Sequence, residues 1–294
     1  MEFSYDPEHL GEDVRMLFAG ASSAVVVAPF ITKPGLLPLI DVLAPDGCLD
    51  VVTRWDPLEI RAGVSDPMII DDVQSTGGTV RLLPRLHAKV YVAGDHALVG
   101  SPNPTGPGLG FTATQNIEAV IAAAANDSAL IRLFAIIDAL ACKAERGYAI
   151  DLIKYAATLP EIATPSSSDR TVSAARWIPA TMVPARVREC YFGTDERHDY
   201  RTDLDAIEAP QGLSPEAFRT HVGLVLRQGL IGRIYRECEG LQQFAGVQRM
   251  LELLADAHID IHEEPLMVWN RLLNWFKFYL QVSDSFNGGY IAKR

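Results

Sequence analysis

The sequence has little positive charge and no long apolar run. Its 294 residues include 26 Lys and Arg against 37 Asp and Glu, which gives a net charge of −11. This balance argues against a broad basic surface for nucleic acid, although a small positive cleft is compatible with it. It gives no support for binding an anionic membrane. No apolar run approaches the roughly 18 residues that a membrane-spanning helix needs, so we expect no membrane association.

Cysteine pairs and targeting signals are also missing. The four cysteines, Cys48, Cys142, Cys190 and Cys238, are far apart and form no C-x-x-C pair. We therefore expect neither a disulfide framework nor a metal site, and no cofactor. The N-terminal segment, residues 1–15, is acidic and does not follow the basic-then-apolar plan of a signal peptide. We expect a cytoplasmic protein on this basis.

The first half of the chain alternates short apolar runs with helical patterns. Such an order predicts an α/β fold, with a mixed β-sheet flanked by helices. Strands are predicted over residues 22–30, 49–53, 79–83, 88–93, 97–100 and 117–123. Helices are predicted over residues 34–43, 56–62 and 128–146, the last with Asp127 as its N-cap and Gly147 just past its end.

The second half has a different character. A Pro- and Ser-rich stretch over residues 160–169 predicts a linker. We therefore predict one domain over residues 1–160 and a mainly α-helical accessory domain over residues 161–294. Within the second domain, residues 170–212 are expected to be irregular. Three helices are predicted over residues 213–238, 242–257 and 265–282, the first with Ser214 as N-cap and Pro215 in its first turn.

The final predicted helix is rich in aromatic residues: Trp269, Trp275, Phe276, Phe278 and Tyr279. Such a stripe is typical of a core, and a surface for a protein partner is the alternative. Four arginines of the same region either face solvent or line a groove for nucleic acid; they are Arg227, Arg233, Arg236 and Arg249.

The most informative segment is a predicted hairpin over residues 86–109. His87 and Lys89 share one face of its first strand, because strand side chains repeat every two residues. A lysine beside apolar side chains is costly unless it meets an anion, so this pair favours an anion site. The return strand ends near Ser101 and Asn103, whose polar groups suit the same anion. Taken alone, a histidine on a strand is more often structural.

In order and spacing, this segment resembles the signature of the phospholipase D superfamily. The matching residues are His87, Lys89, Gly100, Ser101, Asn103, Thr105, Gly108 and Leu109, followed by Asn116, Ile117 and Glu118. The upstream segment TRWDPLEI, residues 53–60, is similar to bacterial nuclease-like members, and the resemblance covers about residues 20–145. It departs at one place. The position where the family has its Asp is Gly94, with Asp95 next, in a hairpin that is one residue shorter.

This resemblance implies a phospholipase D-like fold and a metal-independent phosphodiesterase. In the family a histidine attacks phosphorus to form a phosphohistidine, a second histidine protonates the leaving oxygen, and water releases the product. The implied roles are His87 as nucleophile or acid, Lys89 and Asn103 as phosphate ligands, and Glu118 as the group that orients His87. Ser101 is a weaker member of the phosphate shell. Asp95 and Gly100 would be structural. Without the family match, Glu118 is more simply a solvated strand residue.

The family's site needs two such motifs, and this chain has one. The simplest resolution is a homodimer, or a higher even oligomer, in which two copies of residues 86–118 meet across a two-fold axis. We therefore expect a nuclease for DNA or RNA, with bacterial antiviral defence as its setting. One alternative is an enzyme that hydrolyses phospholipids. Another is a non-catalytic assembly subunit that keeps the fold, which the displaced Asp95 and the acidic surface favour.

Overall fold

The computed structural model describes residues 5–6, 10–113, 115–159, 174–193 and 198–280. Contacts divide the chain into two compact units. The first unit is Met1–Asp138 with Lys143–Ser167, and the second is Ala139–Cys142 with Ser168–Arg294. The predicted linker and the predicted boundary after residue 160 lie outside the described residues.

The elements before residue 160 form a mixed α/β fold, as the sequence predicts. The strands are β1 (Ser23–Val27), β2 (Cys48–Thr53), β3 (Val80–Leu82), β4 (Val90–Ala93), β5 (His96–Gly100), β6 (Val120–Ala124) and β7 (Cys142–Lys143). The helices are α1 (Leu10–Phe18), α2 (Lys33–Ile40), α3 (Pro57–Arg61), α4 (Ile69–Ser75), α5 (Gly106–Leu109), α6 (Ser128–Leu140) and α7 (Arg146–Thr158).

The strands make one seven-stranded sheet in the order β6-β5-β4-β1-β2-β3-β7. Strands β1, β2 and β3 are parallel, whereas β4, β5 and β6 join the sheet by antiparallel pairing. One edge of the sheet therefore collects the ends of β1, β2 and β5 and the beginnings of β4 and β6. We call it the carboxyl edge. Loops that leave several neighbouring strands at one edge can place their side chains close together.

The segment that follows β2 is shaped by its own residues. The Asp56 side chain accepts hydrogen bonds from the backbone N–H groups of Leu58 (2.7 Å) and Glu59 (3.4 Å), which caps α3. Pro57 takes the first position of α3, where its missing N–H costs nothing. Trp55 is buried and stacks on Tyr148 of α7, with ring centroids 6.2 Å apart. The predicted helix over residues 56–62 is confirmed.

The predicted helix over residues 128–146 is wrong after Leu140. Asp127 does cap α6, since its side chain accepts from the N–H of Ala129 at 2.7 Å. The helix ends at Leu140, and the chain joins the sheet edge, where the N–H of Ala144 donates to the carbonyl of Val80 at 2.8 Å. Pairing with an open sheet edge outweighs local helix propensity. Gly147 then lies in the first turn of α7.

The sequence analysis does not predict three short helices of the first unit. Helices α1, α4 and α5 span nine, seven and four residues. Helices α4 and α5 are too short to show a clear period of 3.6 residues. Helix α1 does show it, since its buried residues Leu10, Val14, Leu17 and Phe18 have helical spacing, and the sequence analysis did not use that signal. Strand β4 also begins at Val90, two residues later than predicted.

Helices dominate the elements after residue 173, as predicted. They are α8 (Pro184–Tyr191), α9 (His198–Ile207), α10 (Pro215–Val225), α11 (Gly229–Glu237), α12 (Gln243–Asp256) and α13 (Pro265–Leu280). Helices α8 and α9 lie in the region that we predicted to be irregular. The predicted helix over residues 213–238 is divided in two, because Gly229 adopts a φ of 57° at the start of α11. Ser214 caps α10 as predicted, by accepting from the N–H of Ala217.

Four of the five aromatic residues of α13 are core, and Phe278 is only half-buried. Trp269 and Trp275 have no exposed surface, and Phe276 is buried with them. Trp275 also meets Trp177 edge-to-face, with centroids 5.3 Å apart. Burying such large rings supplies much of the stability of a small helical unit. These buried rings do not form a surface for a partner.

A search of the described helices finds none with both the length and the apolar character to cross a membrane.

Candidate functional site

His87 and Lys89 lie in an extended segment directly before β4, at the carboxyl edge. The Lys89 Nζ is 3.5 Å from the His87 Nδ1 and donates a hydrogen bond to the His87 carbonyl at 3.0 Å. The N–H of Gly100 donates to the Lys89 carbonyl at 3.1 Å, which ties this segment to β5. The two side chains are therefore held together on one side of the chain, as the two-residue spacing predicts. The imidazole is exposed and the lysine is half-buried.

Arg54 is a third cation at this edge, and the sequence analysis did not single it out. It follows β2 directly and donates to the Leu86 carbonyl through Nη1 at 3.1 Å. Its Nε and Nη2 form a two-pronged contact with the carboxylate of Glu59. Its guanidinium also lies over the Phe30 ring, 5.1 Å from the centroid. The resemblance of residues 53–60 to family members was the one available signal.

The charges at this edge lower the pKa values of His87 and Lys89. The pKa of His87 lies below its ordinary value of 6.5, chiefly because of the Lys89 charge, with contributions from desolvation and from Arg54. The pKa of Lys89 is lowered by burial and by Arg54, while Glu118 acts in the opposite direction. Each cation makes its neighbours more costly to charge. An arriving anion would relieve that repulsion, so the cluster suits an anionic ligand.

The Glu118 carboxylate is held by groups other than His87. One oxygen accepts from the Ser101 hydroxyl, and the other accepts from the Asn116 amide at 3.0 Å. The Ser101 hydroxyl in turn accepts from the N–H of Ala119 at 3.0 Å. Within the described residues, no hydrogen bond joins Glu118 to His87. The structure therefore brings Ser101 and Glu118 together, and the role of Glu118 in orienting His87 stays a prediction.

Gly100 permits the close approach that builds this part of the site. A Cβ at that position would lie 2.0 Å from the Ala119 carbonyl oxygen and 2.8 Å from the Cα of Val120. Any other residue would push β6 away from β5. The buried Tyr91 hydroxyl supports the next turn by donating to the Pro102 carbonyl at 2.8 Å. Burial raises the pKa of Tyr91 well above its ordinary value, so it remains a neutral donor.

Asn103 lies in the loop between β5 and α5, next to the chain that leaves β1. Its Oδ1 accepts from the N–H of Phe30 at 3.4 Å, which fixes the amide with its Nδ2 as the remaining donor. Thr105 caps α5 through the N–H of Gly108, and a Cβ on Gly108 would lie 2.5 Å from the Asn103 carbonyl oxygen. These residues of the motif thus shape the loop that presents Asn103.

Asp95 lies at the far end of the hairpin from His87. It occupies the exposed turn after Gly94, which has a φ of 55°, and its carbonyl accepts from the N–H of Ala125 at 2.9 Å. No hydrogen bond of its side chain is found among the described residues. The four residues of β4 separate it from the site by about 13 Å, at a rise of about 3.3 Å per residue. Asp95 therefore lies in the turn, where a structural role is possible as we predicted, and away from Lys89 and Arg54.

No cluster of three or more His, Cys, Asp or Glu side chains suited to a metal ion occurs in the described parts of the chain, and all four cysteines are free thiols. In the second unit, Arg233 and Arg249 both bind the Glu237 carboxylate, and Arg236 donates to the Arg227 carbonyl. These arginines have partners within the unit.

Comparisons with known proteins include a distant likeness to a solved structure. No protein family's sequence profile matches the chain, and no curated protein matches it. Among solved structures, the chain is similar to TrmBL2, an archaeal chromatin protein whose structure shows a novel mode of DNA binding. The identity is 10%, the TM-score is 0.28, and the match covers 44% of this chain and 46% of that one. This chain thus spans about half the length of that relative, and a likeness of this size carries no argument about function.

Proposed function

We propose that this chain is a metal-independent phosphodiesterase that acts on DNA or RNA, with a site completed by a second copy. The observation that carries the proposal is the cluster at the carboxyl edge. There, an exposed imidazole lies beside the cations of Lys89 and Arg54, with the amide donor of Asn103 on the neighbouring loop. Cations and amide donors fixed before the substrate arrives stabilise the charge that grows on a phosphoryl group.

The proposed reaction needs an uncharged histidine as nucleophile. A nitrogen of His87 would form a bond to phosphorus while the bond from phosphorus to the leaving oxygen breaks. The corresponding histidine of the second copy would give that oxygen a proton. Water would then attack phosphorus, break the P–N bond and return a proton to the second histidine. The lowered pKa of His87 supports the nucleophilic role, because it favours the neutral ring. The same shift disfavours the protonated ring that the second copy needs as acid, so that histidine would take up its proton when the negative charge of the phosphodiester binds beside it.

A non-catalytic, anion-binding subunit is the second candidate, and the position of Glu118 favours it. An ammonium has no acceptor, so the approach of the Lys89 Nζ to within 3.5 Å of Nδ1 suits a neutral ring whose proton is on Nε2. Attack through Nε2 requires the proton on Nδ1, with a carboxylate to receive it. Glu118 is bonded to Ser101 and Asn116 instead. Attack through Nε2 would therefore require Glu118 to turn toward His87 when substrate binds, whereas a non-catalytic subunit has no such requirement.

The deciding experiment is incubation of the full chain with single- and double-stranded DNA and with RNA in EDTA. We compare wild type with His87→Ala and with the control His96→Ala. His96 is an exposed histidine at the start of β5. Cleavage in EDTA that is lost in His87→Ala and kept in His96→Ala supports the enzyme. Binding of the same oligonucleotides without cleavage, weakened by Lys89→Met, supports the second candidate. Hydrolysis of phosphatidylcholine with no effect on nucleic acid contradicts both and favours a lipid enzyme.

A further inference from the structure

We propose that Arg54 is a positioning residue, a clamp that holds the segment carrying His87 against the end of β2. The proposal rests on the proposed function, because it assigns Arg54 to the site where His87 would act. It concerns a residue outside the H-x-K and G-S-x-N segments.

The contacts of Arg54 join three separate parts of the chain. Its Nη1 donates to the carbonyl of Leu86, the residue directly before His87. Its Nε and Nη2 bind both oxygens of Glu59 on α3, and Glu59 is itself placed by the Asp56 cap. Phe30, just beyond β1, lies under the guanidinium plane. A displacement of Arg54 would therefore free the carbonyl that fixes the start of the His87 segment.

Burial makes this clamp rigid. The Arg54 side chain is 18% exposed and that of Glu59 is 10% exposed. A two-pronged contact between a guanidinium and a carboxylate sets direction as well as distance, and a lysine cannot reproduce it. The Leu86 carbonyl and the Phe30 ring contact the guanidinium on its other sides. Arg54 is thus held in one orientation before any ligand arrives.

The charge of Arg54 also acts on the site, which distinguishes it from a purely structural arginine. The charged groups that influence the His87 ring are Lys89 first and then Arg54, and both lower its pKa. Glu118 influences Lys89 and not His87. Loss of the Arg54 charge should therefore be visible at His87 in the absence of any substrate.

The test compares Arg54→Lys and Arg54→Gln with Arg61→Gln, which removes an exposed arginine from the end of α3. The pKa of His87 is measured by NMR titration of the full chain, with its signal assigned from His87→Ala. Values of kcat and KM are measured in EDTA with bis(p-nitrophenyl) phosphate. Circular dichroism checks folding, and the double variant Arg54→Gln/Glu59→Gln avoids leaving the Glu59 carboxylate without its partner.

We expect Arg54→Gln to raise the pKa of His87, and Arg61→Gln to leave it unchanged. Arg54→Lys keeps a charge but loses the fork, so we expect kcat to fall about 10- to 100-fold with a smaller change in KM, as displacement by about 1 Å would produce. Variants of Arg54 that match Arg61→Gln in both measurements overturn the proposal. If wild type cleaves no phosphodiester, the proposed function fails, and the clamp is judged by the NMR signal of His87: it stands if Arg54→Lys, which keeps the charge, still displaces that signal while Arg61→Gln does not, and it fails if Arg54→Lys leaves the signal unchanged.

Discussion

His87 lies beside cations and is bonded to no described carboxylate, and this arrangement determines how its charge responds to pH. The Lys89 ammonium is the largest influence, followed by burial and by Arg54. All three disfavour the protonated ring. At a given pH, more of the His87 population is therefore neutral than in a free histidine.

This arrangement predicts the effect of Lys89→Met on the pH profile. In wild type, kcat/KM should fall as the pH drops through the pKa of His87, which lies below 6.5. Removing Lys89 removes the main cause of the lowering, so the pKa of His87 rises and the acid limb moves to higher pH. The overall rate should also fall by about 10²- to 10³-fold, because one ligand for the phosphoryl oxygens is lost.

Both effects are measurable, by kcat/KM against pH and by NMR titration of His87. Lys154→Met is the matched control, since Lys154 is exposed on α7. An acid limb that stays in place in Lys89→Met, or moves equally in Lys154→Met, contradicts the electrostatic account.

At the scale of elements, the clearest departure from the sequence pattern is the segment after α6. The sequence over residues 128–146 has a helical pattern, and the end of the helix before Ala141 has no local signal. The sheet provides the cause, because its edge at β3 accepts a further strand. Gly147 then belongs to the first turn of a helix and is not a left-handed residue that ends one.

The placement of Gly147 predicted from the sequence, just past a helix end, and its placement in the structure, in the first turn of α7, give opposite expectations for Gly147→Ala. In the first turn of α7, with open space around its Cα, alanine should stabilise the protein by about 0.4–1 kcal/mol. At a helix end with positive φ, alanine would destabilise it. Gly94→Ala is the control, since that glycine also has open space but a φ of 55°. Urea unfolding of the two variants measures the sign, and a loss of stability in both would contradict the placement of Gly147.

At the scale of the whole molecule, the proposed reaction depends on a second histidine. No other histidine of the sequence is followed two residues later by lysine. Two copies related by a two-fold axis would bring two His87 side chains to one site. The net charge of −11 opposes association through most of the surface, so the copies must meet where charge is low.

A mixing experiment tests the shared site. Wild type and His87→Ala are combined in equal amounts and allowed to exchange subunits. If each site needs two His87 side chains, mixed dimers are inactive and activity falls to about a quarter of that of an all-wild-type sample. Independent sites leave about half. Light scattering gives the oligomeric state, and a strictly monomeric active protein would refute the shared site.

The sequence by itself determined much of the first unit and the identity of the candidate site. The alternation of apolar runs and helices fixes a mixed α/β fold, because strand and helix periods are local properties. The spacing of His87 and Lys89 fixes their common side, and local side chains such as Asp56, Asp127 and Ser214 mark helix starts.

Tertiary structure alone decided three further features. Arg54 reaches the Leu86 carbonyl across 32 positions of the sequence, and Ser101 reaches Glu118 across 17. The chain after α6 forms strand β7, where the sequence predicts more helix, because a sheet edge lies open beside it. All three features depend on which strands become neighbours, and the local periodicity of the sequence contains no information about strand order. The sequence named the residues of the candidate site, and the fold decided which of them touch.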